Sequence, residues 1–147
     1  MLNYDTPNTS RRRFNGYKTH PWEELPPPAS PFSTAAGAYQ VLASTWKELI
    51  DKGLIPAKGE KFSPLIQDRI AVIKLEDRGV LHLIRTGKIK EALEVKTSKG
   101  KPSLASEWTS LPGGSQNAHR LTADNKPMDM TYLLSLFEKY LSEEILK

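Results

Sequence analysis

Two glutamates, Glu23 and Glu24, stand in the stretch HPWEELPPP, between a tryptophan and a run of prolines. A glutamate held against aromatic surroundings can have its pKa raised and serve as a general acid. That chemistry makes Glu23 and Glu24 the candidate catalytic residues; a solvated loop pair is the other reading of them. Shortly after comes STAAGAYQ, Ser33 to Gln40. Its small residues let a flat molecule approach the backbone, Tyr39 can stack on or edge a ring, and Gln40 can hydrogen-bond hydroxyl or amide groups. Ser33, Gly37, Tyr39 and Gln40 are therefore the candidate binding residues. Tyr39 also falls on the apolar stripe of the helix expected here, so core packing is its alternative role.

Other chemistries find less support. The histidines, His20, His82 and His119, are far apart, with no H-x-x-x-H pair, and the chain has no cysteine. No zinc site is expected from that spacing, nor any other metal or cofactor. His82 lies in an apolar run and reads as a core or boundary residue. No G-x-S-x-G elbow, P-loop or dinucleotide fingerprint is present. The net charge of +4, from 21 Lys and Arg against 17 Asp and Glu, draws a protein toward polyanions such as nucleic acid, anionic lipid or bacterial cell wall. The dense basic run, Arg11-Arg12-Arg13, lacks interleaved aromatics for base stacking, so nucleic acid is not an expected partner. No run approaches the roughly 18 apolar residues of a membrane span, and the first residues carry no apolar signal-peptide core. Membrane insertion is not expected, and action outside the cytoplasm would depend on release by another factor.

The elements that must position these residues fall into an arm and a body, read together as a single domain over residues 1–147. Six of the eleven prolines lie within the first 34 residues, which forbids a long helix there. Tyr4, Phe14, Tyr17, Trp22 and Phe32 are more aromatic content than a solvated linker carries. Residues 1–32 thus read as an ordered, irregular arm, with a hairpin around Asn15-Gly16. Residues 33–147 read as a helical body. Ser33 or Thr34 caps a first helix carrying Tyr39, Leu42, Trp46, Leu49 and Ile50, ended by Gly53. Ser63-Pro64 opens a second, with Ile66, Ile70 and Ile73, stopped by Gly79. Short helices follow over Val80–Arg85 and Ile89–Val95, then a charged loop over Lys96–Pro102 and one or two helical turns over Ser103–Leu111. After a polar stretch, Asp129 caps a last helix whose stripe is Met130, Leu133, Leu134, Phe137, Leu141 and Ile145. The fold class is mainly α, with several short helices and a Pro- and aromatic-rich arm.

STAAGAYQ resembles the Gly-x-Tyr-Gln stretch of the phage lambda endolysin family, lysozyme-like lytic transglycosylases that cleave peptidoglycan. His20-Pro21 precedes it at the spacing of a similar His-Pro pair. The stretch FSPLIQDRIAVIKLEDRGVLHLIRTGKIKEAL, Phe62 to Leu93, is similar to the family's Phe-Ser-Pro helix with its Gln-Asp pair, arginine-glycine stop and short following helices. EWTSLPGG, Glu107 to Gly114, resembles its Trp-x-Ser-Leu-Pro-Gly turn. The matches keep their order over roughly residues 4–114, with a few extra residues in the Lys96–Pro102 loop. The resemblance implies a lysozyme-like fold and cleavage of the MurNAc-GlcNAc bond. It also implies a glycan cleft lined by the stretch that holds Gly37, Tyr39 and Gln40. It further implies a monomer made in the bacterial cytoplasm that acts on cell-wall glycan strands in the periplasm.

The departure lies at the start. In such enzymes one glutamic acid protonates the glycosidic oxygen, then as carboxylate accepts the proton of the muramyl 6-hydroxyl. The family carries it at the end of a first helix, in a Trp-x-Glu-Gly-Thr-like stretch that precedes a Gly-Tyr-Asp segment. Here NYDT, residues 3–6, resembles that later segment, and the glutamate has no counterpart. Three expectations follow: a chain that is a fragment or has a misassigned start, a non-catalytic glycan-binding remnant, or an enzyme in which Glu23, Glu24 or Asp5 has taken over.

Overall fold

The helices begin and end where backbone chemistry allows. The computed structural model describes residues 3–4, 12–13, 16–24, 34–117, 122, 125–126 and 129–145. Among these, β1 (Asn3–Tyr4) and β2 (Arg12–Arg13) are followed by α1 (Pro21–Glu24), α2 (Ala43–Asp51), α3 (Pro64–Asp77), α4 (Leu81–Arg85), α5 (Ile89–Glu94), α6 (Ser103–Glu107) and α7 (Met130–Ile145). The mainly α class expected from the sequence is the one observed. The chain divides into two compact units, Met1–Ile73 and Lys74–Lys147.

In the first unit the described parts of the arm hold a strand pair and a short helix. β1 and β2 pair antiparallel, with Asn3 opposite Arg13 and Tyr4 opposite Arg12. The hairpin expected around Asn15-Gly16 falls at Asn15, which lies outside the described residues. Pro21 opens α1, at the helical position where a missing N–H costs nothing. The segment before it is hydrogen-bonded into the body: the N–H groups of Lys61 and Phe62 donate to the carbonyls of Lys18 and Tyr17, at 2.9 and 3.0 Å.

The core of this unit gathers Trp22, Ala36, Val41, Trp46, Leu49, Ile55, Phe62, Ile66 and Ile70, all buried. Burying each large apolar side chain contributes roughly 1.5–3 kcal/mol. The Trp46 indole N–H donates to the Lys61 carbonyl at 3.0 Å, so its polar edge stays satisfied inside. The Ser63 hydroxyl accepts from the Ile66 N–H at 3.4 Å, the N-cap role expected for it. Leu42, expected on the apolar stripe of α2, is instead 43% exposed and immediately precedes the helix.

The second unit packs Val80, Ala92, Leu93 and Leu104 with half-buried Leu75, Leu83, Ile84, Trp108 and Leu133 around them. An apolar hollow of about 380 Å³ lies among side chains that include Leu75, Ile84, Leu93, Trp108, Leu133 and Phe137. α3 is stopped by Gly79, two residues past its end, whose φ of 71° is left-handed. The N–H of Gly79 donates to the Glu76 carbonyl and that of Val80 to the Leu75 carbonyl, a paired closure that satisfies two of the helix's last acceptors. The Arg78 guanidinium then reaches Glu107 Oε2, with Nε at 3.1 Å and Nη2 at 2.5 Å, and the Arg78 carbonyl accepts from the Ser103 hydroxyl at 3.1 Å. These bonds fasten the start and end of α6 to the stop of α3. At α7 the Asp129 carboxylate accepts from the Tyr132 N–H at 2.8 Å, the cap expected from the sequence. His82, expected at the core or its boundary, is exposed on α4. A helix of only five residues has too few turns to bury every side of an apolar run.

Candidate functional site

The candidate binding stretch is a turn rather than the start of a helix. Ala36 and Val41 exchange both backbone hydrogen bonds, at 3.0 and 2.8 Å, closing a loop of Gly37, Ala38, Tyr39 and Gln40. Gly37 has φ 75° and Gln40 φ 53°, both left-handed, so the chain cannot run helically through them. α2 consequently starts at Ala43, not at Ser33 or Thr34. Thr34 still serves that helix from a distance, its hydroxyl accepting from the Ala43 N–H at 3.2 Å. Ser33 lies outside the described residues.

Three contacts hold the turn. Gln40 Nε2 donates back to the Gly37 carbonyl at 2.9 Å, which helps a non-glycine residue keep a positive φ. From α3 comes Gln67, 1% exposed, whose amide is used at both ends. Its Oε1 accepts from the Ala38 N–H and its Nε2 donates to the Phe62 carbonyl, each at 2.9 Å. A Cβ on Gly37 would overlap Gln67 Oε1 and come within 3.1 Å of Phe62 Cζ. The small residue at position 37 thus admits a protein side chain from beneath, and Gly37 itself is buried. The third contact is His20, fully buried, with Nε2 2.8 Å from the Val41 carbonyl. The carbonyl can only accept, so Nε2 carries the proton, and Nδ1 accepts from the Trp22 N–H at 3.3 Å. The imidazole also stands edge-on to Phe62, centroids 4.8 Å apart. Burial lowers its pKa, against the opposing pull of the Val41 bond and the Glu23 charge.

What the turn presents outward is Tyr39, half-buried against the core, with Ala38 and Gln40 exposed. The Tyr39 hydroxyl donates to Asp68 Oδ1 at 2.8 Å, and that hydrogen bond, with burial and the Asp68 charge, raises its pKa. Tyr39 thus packs by one side against the core and reaches the surface with its hydroxyl.

The candidate acids sit on α1. Glu23 is exposed; its carboxylate accepts from the Thr19 hydroxyl and pairs with Lys61 Nζ at 3.1 Å. That ammonium also lies 5.1 Å above the Trp46 ring. Glu23 therefore occupies an ion pair at the surface rather than an apolar pocket. The side chain of Glu24 and all of Asp5 lie outside the described residues, as do Arg11 and His119. Gln67 and Asp68 are the contributors that reading side chains one by one missed. The signal was a glutamine between Ile66 and Ile70 on the buried face of α3, where an uncharged polar group needs an internal partner.

The elements converging on this turn are the His20-Pro21 pair, the Gly37–Gln40 stretch and the α3 segment FSPLIQD, the same pieces that resemble one family. The Endolysin family model matches residues 3–139. The endolysin of Escherichia phage P2 is 34% identical over 116 residues, covering 74% of this chain and 62% of that protein. The endolysin of Escherichia phage lambda is 33% identical over 113 residues, covering 76% of this chain and 63% of that protein. The matches thus span less than two thirds of the length of either relative. No solved structure matches the chain significantly. With a family match running through nearly all of its length, the chain belongs to the endolysin family.

Proposed function

We propose that this protein acts on bacterial peptidoglycan, cleaving the MurNAc-GlcNAc bond in the manner of a lytic transglycosylase during host lysis. The observation that carries the reading is the endolysin family match over residues 3–139. The braced turn supports it locally: Tyr39 and Gln40 form a fixed, partly exposed surface over the buried Gly37, with Ser33 just ahead of them in the chain, and a glycan strand is the proposed ligand of the stretch. Such a surface positions a sugar ring with little ordering cost. Glu23 and Glu24 remain the proposed sources of the proton, Glu24 lying one residue beyond the Lys61 ion pair. The protein would meet its substrate in the periplasm, after release by another factor. Among the described residues no helix is long and apolar enough to cross a membrane.

The ion pair of Glu23 with Lys61 favours a second reading, glycan binding without cleavage, since it engages that carboxylate within the protein. Turbidity loss of purified peptidoglycan suspensions separates the two. Cleavage that vanishes in Glu23→Gln or Glu24→Gln would support the enzyme and identify its acid. Binding to the same material without turbidity loss would support the second reading. Mass spectrometry of released muropeptides then distinguishes 1,6-anhydro ends, the transglycosylase product, from hydrolysed ones.

A further inference from the structure

Gln67 and Asp68 are neighbours on α3, and consecutive helical residues point about 100° apart. One is buried and the other exposed, yet both reach the same loop. Gln67 takes the Ala38 N–H from inside, and Asp68 takes the Tyr39 hydroxyl from outside. One rigid helix thereby fixes a peptide group and the next residue's ring together. The ends of the turn are joined separately, by the Ala36–Val41 pair. The effect of Gln67 and Asp68 is on placement: without Asp68 the Tyr39 ring can leave its rotamer, and without Gln67 the Gly37–Ala38 peptide, one residue before Tyr39, can tilt.

We infer that Gln67 and Asp68 are positioning residues of the glycan surface, Gln67 holding the backbone at Ala38 and Asp68 holding the Tyr39 ring in the orientation that meets a sugar. The inference rests on the glycan reading given above. A ring held in place before the ligand arrives loses no rotamer freedom on binding, so removing the holder weakens binding even though the ring remains.

The test uses the full chain and purified peptidoglycan in a sedimentation assay. Asp68→Ala and Tyr39→Phe should each weaken retention by on the order of tenfold, the size of one hydrogen bond to a charged group. The double variant should lose no more than either single one, and Asp68→Asn, which keeps an acceptor, should restore most of the binding. Melting temperatures should move little, since the pair is at the surface. Spectrophotometric titration gives a readout that needs no glycan: in Asp68→Ala one tyrosine should ionise at lower pH than in the wild type. For Gln67, the Gln67→Met variant should speed hydrogen exchange of the Ala38 amide. Wild-type retention by Asp68→Ala alongside lost retention by Tyr39→Ala would overturn the inference and leave the glycan reading standing. So would additive losses in the double variant, an unmoved tyrosine titration, or unchanged exchange at Ala38. No retention of the wild type would overturn the glycan reading itself, and the inference with it.

Discussion

Gln67 occupies the space that a side chain on Gly37 would need, with its Cδ only 2.9 Å from the Cβ position. The two residues are thirty positions apart in sequence, and together they decide the shape of the turn that carries Tyr39. Gly37→Ala should therefore destabilise the protein by about 2–4 kcal/mol, combining the cost of a left-handed alanine with displacement of a buried, hydrogen-bonded amide. Urea melts measure it. A loss below 0.5 kcal/mol, on the scale of an ordinary surface change, would mean that Gln67 moves aside freely.

Tyr39 and Phe62 meet the same core but differ in burial, half-buried against fully buried. Phe62→Ala should cost about 3–5 kcal/mol, as buried aromatic truncations do. Tyr39→Ala should cost clearly less while abolishing retention on peptidoglycan. Equal losses of stability in thermal melts would assign Tyr39 to the core alone.

His20 makes stability depend on pH. Its pKa is lowered in the folded state, so below about pH 6.5 the unfolded chain takes up a proton that the native one refuses. The unfolded state then binds more protons, and stability falls as pH drops from near 7 toward the lower native pKa; above 7 this residue contributes no slope. Protonation would also make Nδ1 a donor facing the Trp22 N–H, which donates to it now. Chemical melts at pH 7.5, 6 and 5 should show the decline, and His20→Gln should flatten it. An identical slope in that variant would remove His20 as the cause.

Arg78 and Glu107 form a partly buried pair, with side chains 30% and 19% exposed. Arg78→Ala should cost about 1.5–3 kcal/mol, the range of hydrogen bonds to a charged group, and Arg78→Lys should recover only part, because lysine cannot present two donors in a fixed plane. A double-mutant cycle with Glu107→Gln, followed by denaturant melts, isolates the coupling. A coupling near zero would reduce the pair to surface decoration.

Much of this was legible in the chain itself. Gly53 and Gly79, Ser63-Pro64 and Asp129 delimit the helices because capping is local chemistry, settled within a few residues of each end. The apolar periods of α2, α3 and α7 announced the mainly α class, and the order of the motifs announced the family. The tertiary structure decided what those residues do. STAAGAYQ reads as a helix start because serine, alanine and glutamine suit one; Gly37 and Gln40 turn it left-handed, an arrangement that Gln67 and His20 stabilise from distant segments. His82 reads as a core or boundary residue by its neighbours and is exposed, because burial depends on what packs against a short helix. Hydrogen bonds between residues twenty or thirty positions apart leave no period in a sequence, so partners such as Gln67 with Ala38 and Asp68 with Tyr39 appear only once the chain has folded.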